Sequence, residues 1–278
     1  MGFFQRFKNS RPTIGLALSG GATHGAAHIG VLQVLEREGI LPDFVAGTSA
    51  GALIGAAYCA GVSLEDIERL FLTLEWPNLL KMNLRPRLSI FDTQPMEAFL
   101  KAHIGDISFA NLKIPFAAIA CDLNTGERVV LDEGLLAPAL RASSAIPAIF
   151  SPVEINGRVL VDGGIVDNLP VEQVREMGAR FIIASDVSKK GSTGRSPENP
   201  FEVLLTTIYI MQAHCAYYNV DISDCYIRPE ISMFSSWGFK DSVKVVEAGK
   251  VAAESALPEL KRKLKNRSGF SARALLKR

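Results

Sequence analysis

The 278-residue sequence predicts a three-layer α/β/α sandwich around a mainly parallel sheet. Three observations predict it. Short apolar runs at Thr13–Leu18, Phe44–Ala46 and Arg180–Ala184 have the length and composition of buried strands. The first two pass through glycine-rich turns straight into helical stretches, which is the strand–loop–helix unit of a parallel sheet. An apolar content of 48% supplies enough core for one large domain.

Taken in order, Thr13–Leu18 is a strand and Ser19–Gly25 a glycine turn. It opens a helix carrying Ile29, Leu32 and Leu35 that stops at Gly39. Phe44–Ala46 leads into Gly47-Thr48-Ser49-Ala50-Gly51 and a small-residue helix from Ala52. Ser63, followed by Glu65 and Asp66, is an N-cap for a helix ending near Leu74. Trp76–Phe91, with prolines and no period, reads as a loop covering the site, and Pro95–His103 as a helix. Ile114–Ala120 and Arg128–Leu131 are strands joined by the turn Leu123–Glu127, and Ala137–Ala145 is a helix stopped at Pro147. The strand Gly157–Val161 delivers Asp162-Gly163-Gly164, and Asp167–Pro170 opens the next helix. Lys189–Pro200 reads as a linker. After it come a helix over Val203–Val220, a strand around Cys225–Ile227 and a helix from Ser242 towards Ala256.

Composition narrows the partners. A net charge of +1 gives no nucleic-acid footprint, but residues 258–278 hold eight Lys/Arg against one acid, a net +7. This divides the chain into a leader at 1–12, a main domain at 13–257 and a basic tail at 258–278. Lys261, Arg262, Lys263, Lys265 and Arg267, beside Leu260 and Leu264, form a candidate contact for an anionic membrane surface. Cys59, Cys121, Cys215 and Cys225 show no C-x-x-C spacing and read as core thiols of a cytoplasmic protein. No metal-ligand constellation, calcium loop or cofactor motif is visible. Met1–Lys8 lacks a signal-peptide core, Arg6 occupies the position where a myristoylation signal wants Ser or Thr, and Val203–Val220 carries too many polar residues for a membrane span.

The chemistry gathers at three glycine-flanked turns. Gly47-Thr48-Ser49-Ala50-Gly51 is a G-x-S-x-G elbow, which lifts a serine hydroxyl onto a helix N-terminus. Together with Gly20–Gly25, Arg141–Pro147 and Val161-Asp162-Gly163-Gly164-Ile165-Val166-Asp167-Asn168-Leu169-Pro170, it resembles the bacterial patatin-like phospholipases over Thr13–Leu264. The resemblance implies a Ser–Asp dyad, with Ser49 as nucleophile and Asp162 as its proton acceptor. It further implies an oxyanion hole from the amides of Gly20, Gly21 and Ala22, a supporting frame of His24, Gly25, Gly47, Gly51, Gly163 and Gly164, a lipid acyl-ester substrate and no metal or cofactor. Two positions depart from the family pattern: Ala22 replaces a third glycine, acceptable unless its φ is positive, and His24 replaces an Arg or Lys. His24 is read equally as cationic support for the oxyanion or as a surface or helix-start residue, and His28 as a packed structural histidine.

Other readings are weaker. A dinucleotide fingerprint would need glycine at Ala22 and an acid after the second strand. A Ser49–Asp162–His214 triad has the chain order of an α/β-hydrolase, but the elbow follows only the second strand and His214 lies in an apolar helical pattern suited to the core. A catalytically silent, membrane-associated scaffold conflicts with three intact turns.

Overall fold

A computed structural model describes residues 11–83, 88–188 and 196–275. Residues 1–10 of the expected leader and 189–195 of the expected linker lie outside the described residues. The strands are β1 (Ile14–Leu18), β2 (Phe44–Thr48), β3 (Lys81–Met82), β4 (Phe91–Asp92), β5 (Phe116–Asp122), β6 (Arg128–Leu131), β7 (Val153–Ile155), β8 (Arg158–Asp162), β9 (Phe181–Ser185) and β10 (Cys225–Ile227). The helices are α1 (Ala26–Arg37), α2 (Ala50–Ala60), α3 (Leu64–Leu72), α4 (Trp76–Leu79), α5 (Gln94–Ile104), α6 (Leu136–Ser143), α7 (Val171–Glu176), α8 (Pro200–Val220) and α9 (Ser242–Leu275).

Side chains alternate across the main sheet as the period of two requires. Leu16, Leu18, Val45, Ala118 and Ile183 point into one core, shared with residues of α1, α2, α3, α5, α6 and α9. Ala17, Ala46, Ala117, Ile182 and Ala184 point into another, with Val171, Val174 and Ala216 from α7 and α8. The two apolar faces make the predicted three layers.

The sheet runs β10-β9-β1-β2-β5-β8-β7, with β6 also on β5. From β10 to β5 all pairings are parallel, and the remaining pairings are antiparallel. The register along β5 positions the site. Ala118 to Cys121 pair with β6, so β2 and β8 must share the opposite edge. On that edge Ile119 pairs with Thr48 of β2, and the next residue, Ala120, pairs with Asp162 of β8. Strands from distant parts of the chain therefore meet end to end over the middle of β5.

Several boundaries differ from the sequence reading. Trp76–Phe91 is not an unstructured loop: α4 is followed by the small antiparallel ribbon β3–β4, with 84–87 outside the described residues. The apolar pattern there is too short to register as either element. β7, which pairs with β8 across Asn156-Gly157, was too short to separate from the coil before it. α9 does not stop near Ala256. It continues through Pro258 to Leu275 because Leu260 is fully buried against the core. Lys261 pairs with Glu38 at 2.6 Å, Lys263 Nζ donates to the Asp224 carbonyl at 2.8 Å, and Arg267 binds Asp224 and lies over the Phe181 ring. Among the described residues, no helix is long and apolar enough to cross a membrane. All four cysteines are free thiols.

Candidate active site

Ser49 sits between β2 and α2 with φ 53° and ψ −120°, a conformation that side chains with a Cβ rarely adopt. Two features force it. A Cβ on Gly51 would lie 2.3 Å from the Leu18 carbonyl oxygen, so α2 begins in direct contact with the end of β1. The Ser49 N–H donates to Ser143 Oγ at 3.0 Å, and Ser143 Oγ in turn donates to the Ile119 carbonyl at 2.6 Å. Thr48, just before it, donates its hydroxyl to the Asp167 carbonyl at 2.9 Å. The strain is expected to be measurable. Ser49→Gly and Ser49→Ala both lose the hydroxyl, but only glycine relieves the backbone. The Gly variant is expected to be the more stable by about 1–2 kcal/mol, read as a higher Tm.

Asp162 ends β8 and is fully buried. Its N–H donates to the Ala145 carbonyl at 2.9 Å, and its Oδ1 accepts the Gly164 N–H at 2.7 Å. Oδ2 makes no hydrogen bond of full geometry, while the Ser49 hydroxyl is close enough to favour the ionised carboxyl. Burial outweighs both Ser49 and the Gly164 amide and raises the Asp162 pKa to about 6. The structure thus brings Ser49 and Asp162 together. The stretch Arg141–Pro147 holds both, through Ser143 and Ala145. Sequence reasoning gave that stretch no role, although two serines between a helix end and a proline were the available signal.

Of the expected oxyanion donors, Gly20 is already committed: its N–H donates to the Asn168 carbonyl at 3.1 Å. Among the described residues, the amides of Gly21 and Ala22 meet no protein acceptor. Ala22 has φ 50°, so the departure from glycine carries a strain cost of about 1 kcal/mol. The turn is pressed from behind by Val187, whose carbonyl oxygen would be 2.7 Å from a Cβ on Gly21. Val187 N–H donates to Ser19 Oγ at 2.8 Å. Beside it, buried Asp186 accepts from Ser188 Oγ at 2.6 Å, Tyr226 Oη at 2.6 Å and Arg228 Nη1 at 2.8 Å, a brace that sequence reasoning missed.

The histidines resolve differently. His24 is fully buried, which overturns the surface reading, and its Nε2 donates to the Phe234 carbonyl at 3.0 Å. His28 is packed as expected. Nε2 donates to the Ser19 carbonyl and Nδ1 accepts from Ser185 Oγ, each at 2.9 Å, and burial lowers its pKa to about 4, so it is neutral. His214 is not in the core: it is exposed on α8, while Gln212 packs over Gly164 and Cys215 faces the Ile165 carbonyl. The apolar pattern of α8 gave no periodicity from which to choose the buried face. His214→Ala is therefore expected to leave ester hydrolysis within about twofold of wild type, measured as kcat/KM.

Ser49 opens into an apolar pocket of about 140 Å³ lined by α2, α3, α4 and α5, with Leu53, Phe71, Trp76, Phe99 and Phe150 prominent in its wall. Gly25 and Gly47 press against the start of α2, Gly163 against the Ile119 backbone of β5 and Gly164 against Gln212 of α8, each with no room for a Cβ.

The fold and this site define an α/β protein with a serine on a strained strand-to-helix turn facing a buried carboxylate. The model of the patatin-like phospholipase family matches residues 16–175, and the chain belongs to that family. An uncharacterized NTE family protein of Mycobacterium tuberculosis is 37% identical over 66% of this chain and 51% of its own length. The neuropathy target esterase sws of Drosophila melanogaster is 29% identical over 86% of this chain and 19% of its own. The chain thus spans about half, or less, of the curated relatives it matches. Its fold is similar to the crystal structure of VipD from Legionella pneumophila, with a TM-score of 0.58 and 14% identity over 90% of this chain and 67% of that one.

Proposed function

We propose that the protein is a lipid acyl hydrolase that cleaves the acyl esters of phospholipids or lysophospholipids through a Ser49–Asp162 dyad. The observation that carries this reading is the strained Ser49 hydroxyl beside a buried carboxylate, at the head of an apolar pocket suited to an acyl chain. Ser49 Oγ attacks the ester carbonyl carbon and its proton passes to the Asp162 carboxylate. The tetrahedral oxyanion is held by the amides of Gly21 and Ala22 and favoured by the N-terminus of α2. Collapse breaks the bond to the leaving oxygen, which takes the proton back from Asp162, and leaves an acyl-enzyme. Water then attacks the acyl carbon, gives its proton to Asp162, and releases the fatty acid as Ser49 is reprotonated. A carboxylate of ordinary pKa is a poor base for a hydroxyl, and the raised Asp162 pKa narrows that gap.

The membrane contact is proposed for the basic end of α9, in a cytoplasmic protein peripheral to the bilayer. Because Lys261, Lys263 and Arg267 are held by the protein's own groups and Arg262 reaches Glu259 at 4.0 Å, Lys265 is its most available charge, and the contact is secondary to the pocket. The test of the main reading is release of fatty acid from phospholipid and lysophospholipid vesicles, with Ser49→Ala as control. Equal release by both proteins would exclude it.

A further inference from the structure

We propose that Ser144 is a specificity-determining residue that selects acyl chains carrying a hydroxyl or oxo oxygen close to the scissile carbonyl. The proposal rests on the reading of Ser49 as the nucleophile.

Three side-chain hydroxyls belong to the lining of the pocket: those of Ser49, Thr23 and Ser144. Ser49 supplies the nucleophile, and Thr23 donates to the Ser235 carbonyl at 3.2 Å. His103, also in the lining, directs Nδ1 to the Phe99 carbonyl at 2.8 Å. Ser144 differs from all of them. Its residue is 4% exposed, and its Oγ is buried without any hydrogen-bond partner. A hydroxyl in that state carries a desolvation cost with no return, and native proteins seldom keep one without a use.

Its place in the chain fixes which part of a substrate it would meet. Ser143, immediately before it, accepts the Ser49 N–H, and Ala145, immediately after it, accepts the Asp162 N–H. Ser144 is thus held at the reacting end of the pocket, between the two residues that hold Ser49 and Asp162. The carbonyl oxygen of the substrate has the amides of Gly21 and Ala22 for partners. An unsubstituted alkyl chain would leave the Ser144 hydroxyl dry and unpaired. An oxygen on the first carbons of the chain would pair with it, and a site built this way discriminates against the analogue that lacks the oxygen.

The test uses p-nitrophenyl esters of equal chain length with unsubstituted, 2-hydroxy and 3-hydroxy acyl groups, against wild type and Ser144→Ala. Wild type is expected to favour at least one hydroxyacyl ester by about tenfold in kcat/KM, the size of one buried hydrogen bond. Ser144→Ala is expected to reverse the order, losing about tenfold on that ester and gaining severalfold on the unsubstituted one, with a Tm no lower than wild type. The absence of a hydroxyacyl preference in wild type would overturn the proposal, as would its survival in Ser144→Ala, an equal loss on all three esters, or a lowered Tm. If no ester is hydrolysed in a Ser49-dependent way, the hydrolase reading itself falls, a result distinct from these.

Discussion

Ser49→Ala is expected to abolish both ester hydrolysis and fluorophosphonate labelling, a loss of about 10⁵–10⁶-fold in kcat, while leaving the fold intact. The alanine keeps the Cβ that the elbow already accommodates at φ 53°, and removes only an oxygen that no backbone contact uses. Circular dichroism and Tm should match wild type closely. Turnover above a few per cent of wild type would point to another nucleophile.

Asp162→Asn is expected to separate catalysis from stability. The amide cannot accept the serine proton, so kcat/KM should fall by about 10³–10⁴-fold. Stability should move the other way. The Asp162 pKa is about 6 in the fold against 3.8 for an unperturbed aspartate, so the folded chain binds this proton more tightly than the unfolded one. Its contribution is favourable below about pH 4 and is lost as pH rises through about 6, a penalty of about 3 kcal/mol at neutral pH. The uncharged asparagine avoids it, and should raise Tm at pH 7.5 with the advantage vanishing near pH 4. In wild type, kcat/KM should fall as pH drops below about 6 and the base is protonated. A flat profile between pH 5 and 8 would remove Asp162 from the base role.

The sequence made the layers legible because buried parallel strands and glycine turns are local signals. β1, β2 and β9, with their flanking turns, emerge from apolar runs and punctuation alone. What joins Ser49 to Asp162 was not legible. The two residues meet because neighbouring residues of β5, Ile119 and Ala120, receive β2 and β8 on one edge, and register between distant strands leaves no trace in a single sequence. The same holds for Ser143, whose hydroxyl bridges Ile119 to the elbow, and for the loss of Gly20 as a donor to the Asn168 carbonyl. The histidines mark the limit most clearly. His24 and His214 were assigned by local polarity and helical pattern, but burial is set by what packs over them: the segment at Phe234 covers His24, while His214 is exposed among the described residues.

The most direct test of the account is the rate of covalent capture, followed by intact mass and peptide mapping after a fluorophosphonate pulse. Wild type should carry one adduct, on the peptide containing Ser49, forming faster as pH rises through about 6. His214→Ala should label at the wild-type rate, and Asp162→Asn at least about a thousandfold more slowly. An adduct on another residue, or equal labelling of Asp162→Asn and wild type, would contradict the Ser49–Asp162 dyad.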